Sequence, residues 1–388
     1  MTLVWGTAQH QPGDAARTHI LIIGVGRYRH LLGGAQPTHG LPPLGQLTSP
    51  PISARALANW FIASKLSDAS APLGSVELLL SDATGQNFDG KQIDDATSQN
   101  IQKSFGDWKA RCDGHDNNVA VFYFCGHGLE KTMMVLLPED FGESENNRWF
   151  RAIDFDRTYQ GMKRCRAGIQ LYVLDACRQL SQSSINDVDF GGNTLITTIL
   201  GQNRLRTAPR LFASAEGLPA FGDSNSESRL TAALIACLNG LGATEEPNRW
   251  VIDTLHLGPA VQKLIMDENR DLPEQQRQIV DPAGGDNANG TQHLHVLPAG
   301  FVPNVLVNLG CNPDLITQKV TFYAVPDQGQ RKEALQAGRW KTKLPAGFYT
   351  FGCLFDLPAG QSDVPAPRAF VRPPVWDYPI DVPPPHPA

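Results

Sequence analysis

Two short polar motifs carry the residue types that nucleophilic chemistry needs. One is Cys125-Gly126-His127-Gly128 and the other is Asp175-Ala176-Cys177-Arg178, and each directly follows an apolar run. A thiol alone is largely protonated at neutral pH, whereas a neighbouring imidazole lowers the thiol pKa and later protonates a leaving amine. Glycines beside the histidine let the backbone approach a bound molecule closely. We therefore predict Cys177 as a nucleophile and His127 as its acid–base partner.

The elements that must position these two residues are buried parallel strands. Continuous apolar runs, without alternation, are typical of strands in a sheet that is covered on both faces. Ligands of such open sheets bind beyond the carboxyl ends of the strands. If the runs that precede the two motifs are neighbours, His127 and Cys177 lie at the same edge. The runs are residues 19–25, 76–80, 119–125 and 170–175, with a weaker one at 210–214.

Helical patterns alternate with these runs. The clearest spans residues 229–241, where the apolar side chains form one stripe. Weaker patterns cover 52–65 and 93–110. Alternating strands and helices predict a three-layer α/β domain with a mostly parallel central sheet over residues 18–298, after a polar lead-in at 1–17.

The residue pattern changes near Pro298. Beyond it, apolar and polar residues alternate in segments separated by proline and glycine, which is typical of antiparallel strands with one exposed face. We predict a small antiparallel, sandwich-like β module at residues 299–358. Residues 359–388 are rich in proline, which lacks a backbone N–H, so we predict an extended tail there.

Composition limits the class of protein. The chain has 388 residues, a hydrophobic share of 41% and a net charge of −6, which indicate a globular protein without the basic surface of a nucleic-acid-binding protein. No apolar run is long enough for a membrane span, and the N-terminus lacks the features of a signal peptide, so we expect a cytoplasmic protein. The seven cysteines show no metal-ligand spacing, and we predict no metal site and no cofactor.

The two motifs resemble those of the caspase-like cysteine peptidase superfamily, particularly its bacterial members and the metacaspase and paracaspase branches. The sequence separation of 50 from His127 to Cys177 matches the spacing in that family. The segments Gly24-Val25-Gly26-Arg27-Tyr28 and Leu136-Leu137-Pro138-Glu139-Asp140 are similar to its first strand and to the segment after its histidine. The resemblance implies a caspase-like three-layer sandwich, endopeptidase activity on a protein or peptide, and an oxyanion hole made by the backbone N–H groups of Gly128 and Cys177.

Asp175 is the candidate for substrate recognition. If the chain stays extended through Ala176, the side chains of Asp175 and Cys177 point to the same side. A carboxylate beside the nucleophile predicts a cationic substrate side chain, Arg or Lys, before the cleaved bond. In metacaspases and paracaspases the matching aspartate lines that pocket.

The sequence departs from this family pattern at two positions. Ser53 stands where the family often has an acidic residue, and Pro219 stands where the paracaspase pocket has a further carboxylate. Glu216 and Asp223 are nearby in sequence and are candidates to replace it. Two alternatives stay open: a small or apolar residue before the cleaved bond, and a structural ion pair between Asp175 and an arginine, namely Arg27, Arg55 or Arg178.

The stretch 180–209 corresponds to a loop that caspase-like enzymes often cleave or rearrange on activation. Arg204 and Arg206 lie in it, so self-cleavage there would agree with a basic specificity, and an ordinary solvated loop is the alternative. Asp187 and Asp189 are candidates for calcium activation, although calcium takes about six to eight oxygen ligands. The resemblance also implies a setting in bacterial stress, cell death or antiviral defence, with a pore-forming protein as one candidate target. The sequence predicts no oligomeric state.

Two other function classes compete with an active peptidase. A catalytically silent scaffold would bind partners through the β module, but it has no need to keep the His127 and Cys177 pair with its glycine flanks. Another cysteine hydrolase or acyl transferase on an α/β sheet is disfavoured because the chain lacks a Gly-x-Cys-x-Gly elbow.

Overall fold

The computed structural model describes residues 2–6, 15–67, 69–179, 189–197, 201, 203–218, 220, 225–357 and 360–382. It divides into two compact units: Met1–Ile235 with Asp253–Val296, and Ala236–Ile252 with Leu297–Ala388. Over the described part of the chain, no helix is both long and apolar enough to cross a membrane.

The strands and helices are numbered in chain order. The strands are β1 Leu3–Gly6, β2 Thr18–Val25, β3 Leu73–Ser81, β4 Asn87–Phe88, β5 Lys91–Gln92, β6 Val119–Gly126, β7 Gly128–Glu130, β8 Met134–Leu136, β9 Ile153–Asp154, β10 Ile169–Ala176, β11 Thr207–Phe212, β12 Thr244–Glu246, β13 Arg249–Asp253, β14 Gly285–Asn287, β15 His293–Val296, β16 Asn304–Asn312, β17 Val320–Pro326, β18 Lys332–Glu333, β19 Trp340–Pro345, β20 Gly347–Leu357, β21 Gly360–Pro365, β22 Ala369–Val371 and β23 Val375–Asp381. The helices are α1 Ser49–Ser64, α2 Ser98–Cys112, α3 Phe155–Gly161, α4 Arg229–Ala236 and α5 Leu257–Glu268.

The first unit is built on a seven-stranded sheet in the order β1-β3-β2-β6-β10-β11-β14. Its five central strands are parallel, and the two edge strands, β1 and β14, pair antiparallel. All residues of β2 and β6 are buried, as their unbroken apolar sequences require. The predicted mostly parallel central sheet is therefore confirmed.

Helices cover both faces of this sheet. On one face Phe105 and Trp108 of α2 belong to the same buried cluster as Ile23 of β2. On the other face Gly24 approaches α1 so closely that an added Cβ would lie 2.7 Å from the Cβ of Ala54. Because successive residues of a strand point to opposite faces, α1 and α2 lie on opposite sides of β2, which makes the predicted three-layer arrangement.

One helix is shorter than its pattern predicts. The apolar stripe predicts a helix over 229–241, but α4 ends at Ala236 and a π-helical turn, Cys237–Leu241, follows it. Gly240 in that turn has a φ of 122°, a left-handed conformation that glycine adopts without the steric cost of a Cβ.

The second unit contains two packed sheets. One has the order β19-β16-β23, and the other has the order β18-β17-β20-β21, with β22 also paired to β20. Side chains of β16, β17 and β20 share one buried core. The pairs are antiparallel except β16 with β23, which is parallel.

The extended proline-rich tail predicted for 359–388 is wrong for residues 360–381, which form β21, β22 and β23. Proline is tolerated in edge strands, because only some residues of such a strand donate to its single neighbour. Pro379 lies in β23, which stands at the end of its sheet and pairs with β16.

Candidate active site

The paired strands β6 and β10 position the two predicted catalytic residues. They are in register along their whole length, and the last pair joins Ala176 to Gly126. His127 directly follows β6 and Cys177 directly follows β10, so both residues lie at the same edge of the sheet. Neighbouring strands lie about 4.8 Å apart, and the two side chains therefore start from adjacent backbones.

His127 is buried and is held at its backbone and at its ring. Its main-chain N–H donates to the Tyr28 hydroxyl (N···O 2.7 Å), and its ring Nε2 lies 2.8 Å from the Gly45 carbonyl oxygen. Burial lowers the pKa of His127 from 6.5 to about 4, so the ring is neutral at neutral pH. A carbonyl oxygen only accepts, so Nε2 carries the proton of the neutral ring and Nδ1 presents a lone pair.

Cys177 differs from the other six cysteines, because all of those are buried and Cys177 is partly exposed. Its Sγ accepts the N–H of Ala220 at 3.2 Å, and its thiol points to the Ala220 carbonyl oxygen at 3.8 Å. Burial raises the pKa of Cys177, and the Ala220 N–H only partly opposes this. The resting pair is therefore a neutral thiol on Cys177 and a neutral imidazole on His127.

Gly128 lies against the backbone of the nucleophile. A Cβ added at Gly128 would lie 2.8 Å from the Cys177 carbonyl oxygen and 2.9 Å from the Ala176 Cβ, so no larger residue fits without a shift of the chain. This close approach brings the backbones of Gly128 and Cys177 together. The oxyanion role that the family resemblance implies for their N–H groups stays a prediction.

Asp175 lies in a group of three hydroxyl side chains, which we call the hydroxyl cage: Tyr123, Ser228 and Thr231. Its Oδ2 accepts from the hydroxyls of Thr231 (2.7 Å), Tyr123 (3.2 Å) and Ser228. Ser228 also accepts the N–H of Thr231 at 3.0 Å, and so caps the first turn of α4. Burial raises the pKa of Asp175, although the three hydroxyls favour its charged form.

The alternative ion pair of Asp175 with an arginine is not formed, because the three candidate arginines bind other carboxylates. Arg27 binds Asp95 and Glu139, Arg55 binds Asp82, and Arg178 binds Glu130 and Asp281. Over the described residues, the Asp175 carboxylate is therefore matched by neutral donors and not by a cation.

Of the other predicted pocket residues, Glu216 is the one that lies within the described part of the chain. Glu216 is exposed on a turn after β11, while Asp223 and Pro219 lie outside the described residues. Ser53 is buried and accepts the N–H of Ser228 at 2.9 Å, so it supports the hydroxyl cage from α1.

The two arginines of the predicted cleavage loop have different environments. Arg206 is 1% exposed, and its guanidinium binds Asp286 and Gln170. Arg204 is exposed and pairs with Asp116. Self-cleavage stays a prediction, and a folded chain presents only Arg204 for it. Asp187 lies outside the described residues and Asp189 within them, and calcium activation also stays a prediction.

Sequence reasoning missed Tyr28 and Gly45, which contact His127, and Gln46, which bonds Tyr28. They lie between β2 and α1, 81 to 99 residues away from His127 in the chain. No local pattern indicates such contacts. The one available signal was Gly126, since a Cβ there would lie 2.7 Å from the Tyr28 hydroxyl oxygen, so a small residue is required beside the histidine.

Comparison with known proteins decides the family. The sequence model of the caspase domain, peptidase family C14, matches residues 19–279. This chain belongs to the caspase domain family. The match covers the five parallel strands of the sheet from His19 onward, both predicted catalytic residues and the hydroxyl cage. Because caspase-domain proteins are cysteine peptidases, membership supports a cysteine-peptidase type of function in general.

This caspase-domain chain is similar to one curated sequence and to one solved structure. It is 28% identical over 290 residues to "Uncharacterized protein y4kE" of Sinorhizobium fredii, which covers 66% of this chain and 79% of the relative. Among solved structures, it is similar to caspase-1 from Spodoptera frugiperda with a TM-score of 0.41 and 14% identity, over 72% of this chain and 91% of that one.

Proposed function

We propose that this chain is a cysteine endopeptidase in which Cys177 attacks the peptide carbonyl and His127 transfers the proton. The observation that carries the proposal is the register of β6 and β10, which places both residues at one sheet edge. The Nε2 contact with Gly45 leaves Nδ1 of His127 as the free base. A thiol and an oriented base directly after neighbouring strands support this assignment of roles.

The neutral resting pair determines when the proton moves. With a pKa of about 4, His127 does not take the thiol proton before substrate binds. As Sγ bonds to the carbonyl carbon, the thiol proton passes to Nδ1. His127 then gives this proton to the amine as the C–N bond breaks, which leaves a thioester on Cys177. His127 then deprotonates the water that attacks the thioester, and it returns this proton to the Cys177 sulfur as the C–S bond breaks. The N–H groups of Gly128 and Cys177 stabilise the oxyanion in both steps.

We extend the proposal to substrates with Arg or Lys before the cleaved bond, bound by Asp175. A buried carboxylate without a cation is costly, and a cationic side chain would relieve that cost. The hydroxyl cage supports this, because it holds the carboxylate with neutral donors and leaves its charge uncompensated. The biological setting implied by the family resemblance, including a pore-forming target and a cytoplasmic location, has no residue here that argues for it.

The test uses fluorogenic peptides that end in Arg, Lys or Leu, with and without calcium. We expect wild type to cleave the Arg and Lys peptides and Cys177→Ala to lose at least about 10³-fold in kcat. Cys237→Ala is the control, since it removes a buried thiol elsewhere and should keep activity. Turnover that persists in Cys177→Ala would identify another nucleophile. A wild type inactive on every peptide would favour the silent scaffold.

A further inference from the structure

The loop between β2 and α1 holds His127 directly through Tyr28, and indirectly through Gln46, which bonds Tyr28. Tyr28 provides the hydroxyl that accepts the His127 main-chain N–H at 2.7 Å. Its ring also packs on the imidazole, with the two centroids 4.8 Å apart. Tyr28 therefore contacts both the backbone and the ring of His127.

Gln46 fixes Tyr28 by bonding both of its main-chain polar groups. The Tyr28 N–H donates to Gln46 Oε1 at 2.7 Å, and Gln46 Nε2 donates to the carbonyl oxygens of Tyr28 (3.0 Å) and Leu32 (2.9 Å). The orientation of the amide is dictated by its partners, because an N–H only donates and a carbonyl only accepts. One side chain therefore makes three hydrogen bonds inside this loop, of the four that a glutamine amide can form.

The residue next to Gln46 is Gly45, whose carbonyl oxygen lies 2.8 Å from Nε2 of His127. Two backbone hydrogen bonds flank this pair: Leu32 N–H to Leu44 at 3.1 Å, and Leu47 N–H to Gly26 at 2.8 Å. The contacts form a closed circuit from Tyr28 to His127, to Gly45, to Gln46 and back to Tyr28. Disturbing Gln46 therefore moves the partners of the histidine backbone and of its ring together.

We propose that Tyr28 and Gln46 form a positioning clamp that holds His127 as the Nε2–H tautomer, with Nδ1 presented to the thiol. The clamp deepens the proposed function and rests on it for its catalytic consequence. Its structural part, the choice of tautomer, is independent of turnover. General bases need a defined geometry, and a displacement of about 1 Å costs roughly a hundredfold in rate.

Gln46→Met is the test variant, because it keeps the side-chain length and removes all three hydrogen bonds. We expect kcat to fall by about ten- to a hundredfold, with KM within about twofold of wild type, since the peptide contacts are unchanged. The matched control is Gln170→Met. Gln170 is a buried glutamine that also donates to two carbonyl oxygens, of Met162 and Ala167 (3.3 and 3.0 Å), at the opposite end of β10 from Cys177. It should lose stability and keep kcat.

Ring ¹⁵N NMR of His127 provides a measurement that does not depend on turnover. Wild type and Gln170→Met should show the Nε2–H tautomer alone, and Gln46→Met a mixture. An unchanged tautomer with equal losses of kcat in both glutamine variants would overturn the clamp. A tautomer change in an enzyme whose wild type is inactive would keep the clamp and reject the peptidase proposal. If Gln46→Met does not fold, Tyr28→Phe removes only the hydroxyl, and it should lower kcat at an unchanged KM.

Discussion

Asp175 and Arg178 flank the same cysteine, yet their charges are matched in opposite ways. The Arg178 guanidinium binds Glu130 and Asp281 (Nη1···Oδ2 2.7 Å) and lies over the Phe212 ring, 4.5 Å from its centroid. Asp175 has three hydroxyls as partners and no arginine. Burial alone would lower the pKa of Arg178, but its hydrogen bonds to the two carboxylates raise it.

The difference separates an anchor, Arg178, from Asp175, the group that we propose to recognise substrate. A cation that already has two carboxylates and an aromatic face gains little from a substrate, so Arg178 fixes the chain beside Cys177. Its main-chain N–H donates to the Ser214 hydroxyl at 3.1 Å, which ties the same segment to the residues after β11. A carboxylate held by neutral donors still has an uncompensated charge, which a cationic ligand would complete.

The largest effect should come from breaking the anchor. Arg178→Met leaves the carboxylates of Glu130 and Asp281 without their cation, and removing one partner of a buried ion pair costs about 3–4 kcal/mol. We expect urea denaturation to show that loss in the free energy of unfolding. Among the molecules that stay folded, the preference for Arg peptides should be unchanged.

The control for this variant is Arg27→Met. The Arg27 side chain is 37% exposed, and Glu139 keeps Arg29 as a partner, so the loss should stay below about 1 kcal/mol. Equal losses in the free energy of unfolding for Arg178→Met and Arg27→Met would show that Arg178 anchors the chain no more strongly than a surface arginine does.

Acid pH provides the second comparison, because Arg178 stays charged while His127 and Asp175 titrate. The pKa of His127 is 6.5 when unfolded and about 4 when folded, so the unfolded chain binds more protons between these values. The free energy of unfolding should therefore fall by about 3 kcal/mol as the pH drops from 6.5 to 4. Burial raises the pKa of Asp175, so its contribution to the free energy of unfolding increases as the pH falls, opposite to that of His127.

Subtracting the same profile for His127→Gln isolates the contribution of the histidine. Denaturation curves at half-unit steps of pH measure it. Parallel profiles for the two proteins would mean that His127 is hydrated in solution and that the neutral resting pair is wrong.

Asp175→Asn should give a smaller free-energy change than Arg178→Met or acid pH. Its effect should be confined to substrates that carry a cation. We expect kcat/KM on Arg peptides to fall by about a hundredfold, roughly 2.7 kcal/mol, with less than a threefold change on Leu peptides. Stability should not fall, because an asparagine oxygen still accepts from the hydroxyl cage and no buried charge remains. Glu216→Gln on the exposed turn is the matched control. Full preference for Arg peptides in Asp175→Asn would show that the cation binds elsewhere.

The parts of the fold that depend on local sequence were predicted correctly. Unbroken apolar runs predicted β2, β6 and β10, and the motifs directly after β6 and β10 placed His127 and Cys177 at one edge before their partners were known. Alternating residues beyond Pro298 likewise predicted a β module. These features depend on periodicity within one segment, which a single sequence records.

The environment of each group was not predictable, because it comes from distant segments. Gly45 and Tyr28 reach His127 across more than 80 residues, and Thr231 reaches Asp175 across 56. Hydroxyl and backbone groups carry no charge, so no charge pattern in the sequence indicates that they bind His127 or Asp175. The prediction for the proline-containing strands of the second unit was wrong for another reason: proline lacks a backbone N–H and so disfavours a strand, but strands at a sheet edge accept it.

The register of β6 and β10 has a consequence for how this gene can vary in length. A deletion of one codon within either strand would shift its end by about 3.3 Å and turn the following side chain to the other face of the sheet. The number of residues between the two motifs can therefore vary only in the segments that connect the two strands. We expect insertions and deletions among natural relatives to lie after residue 126 and before residue 169, and to be rare within 119–126 and 169–176.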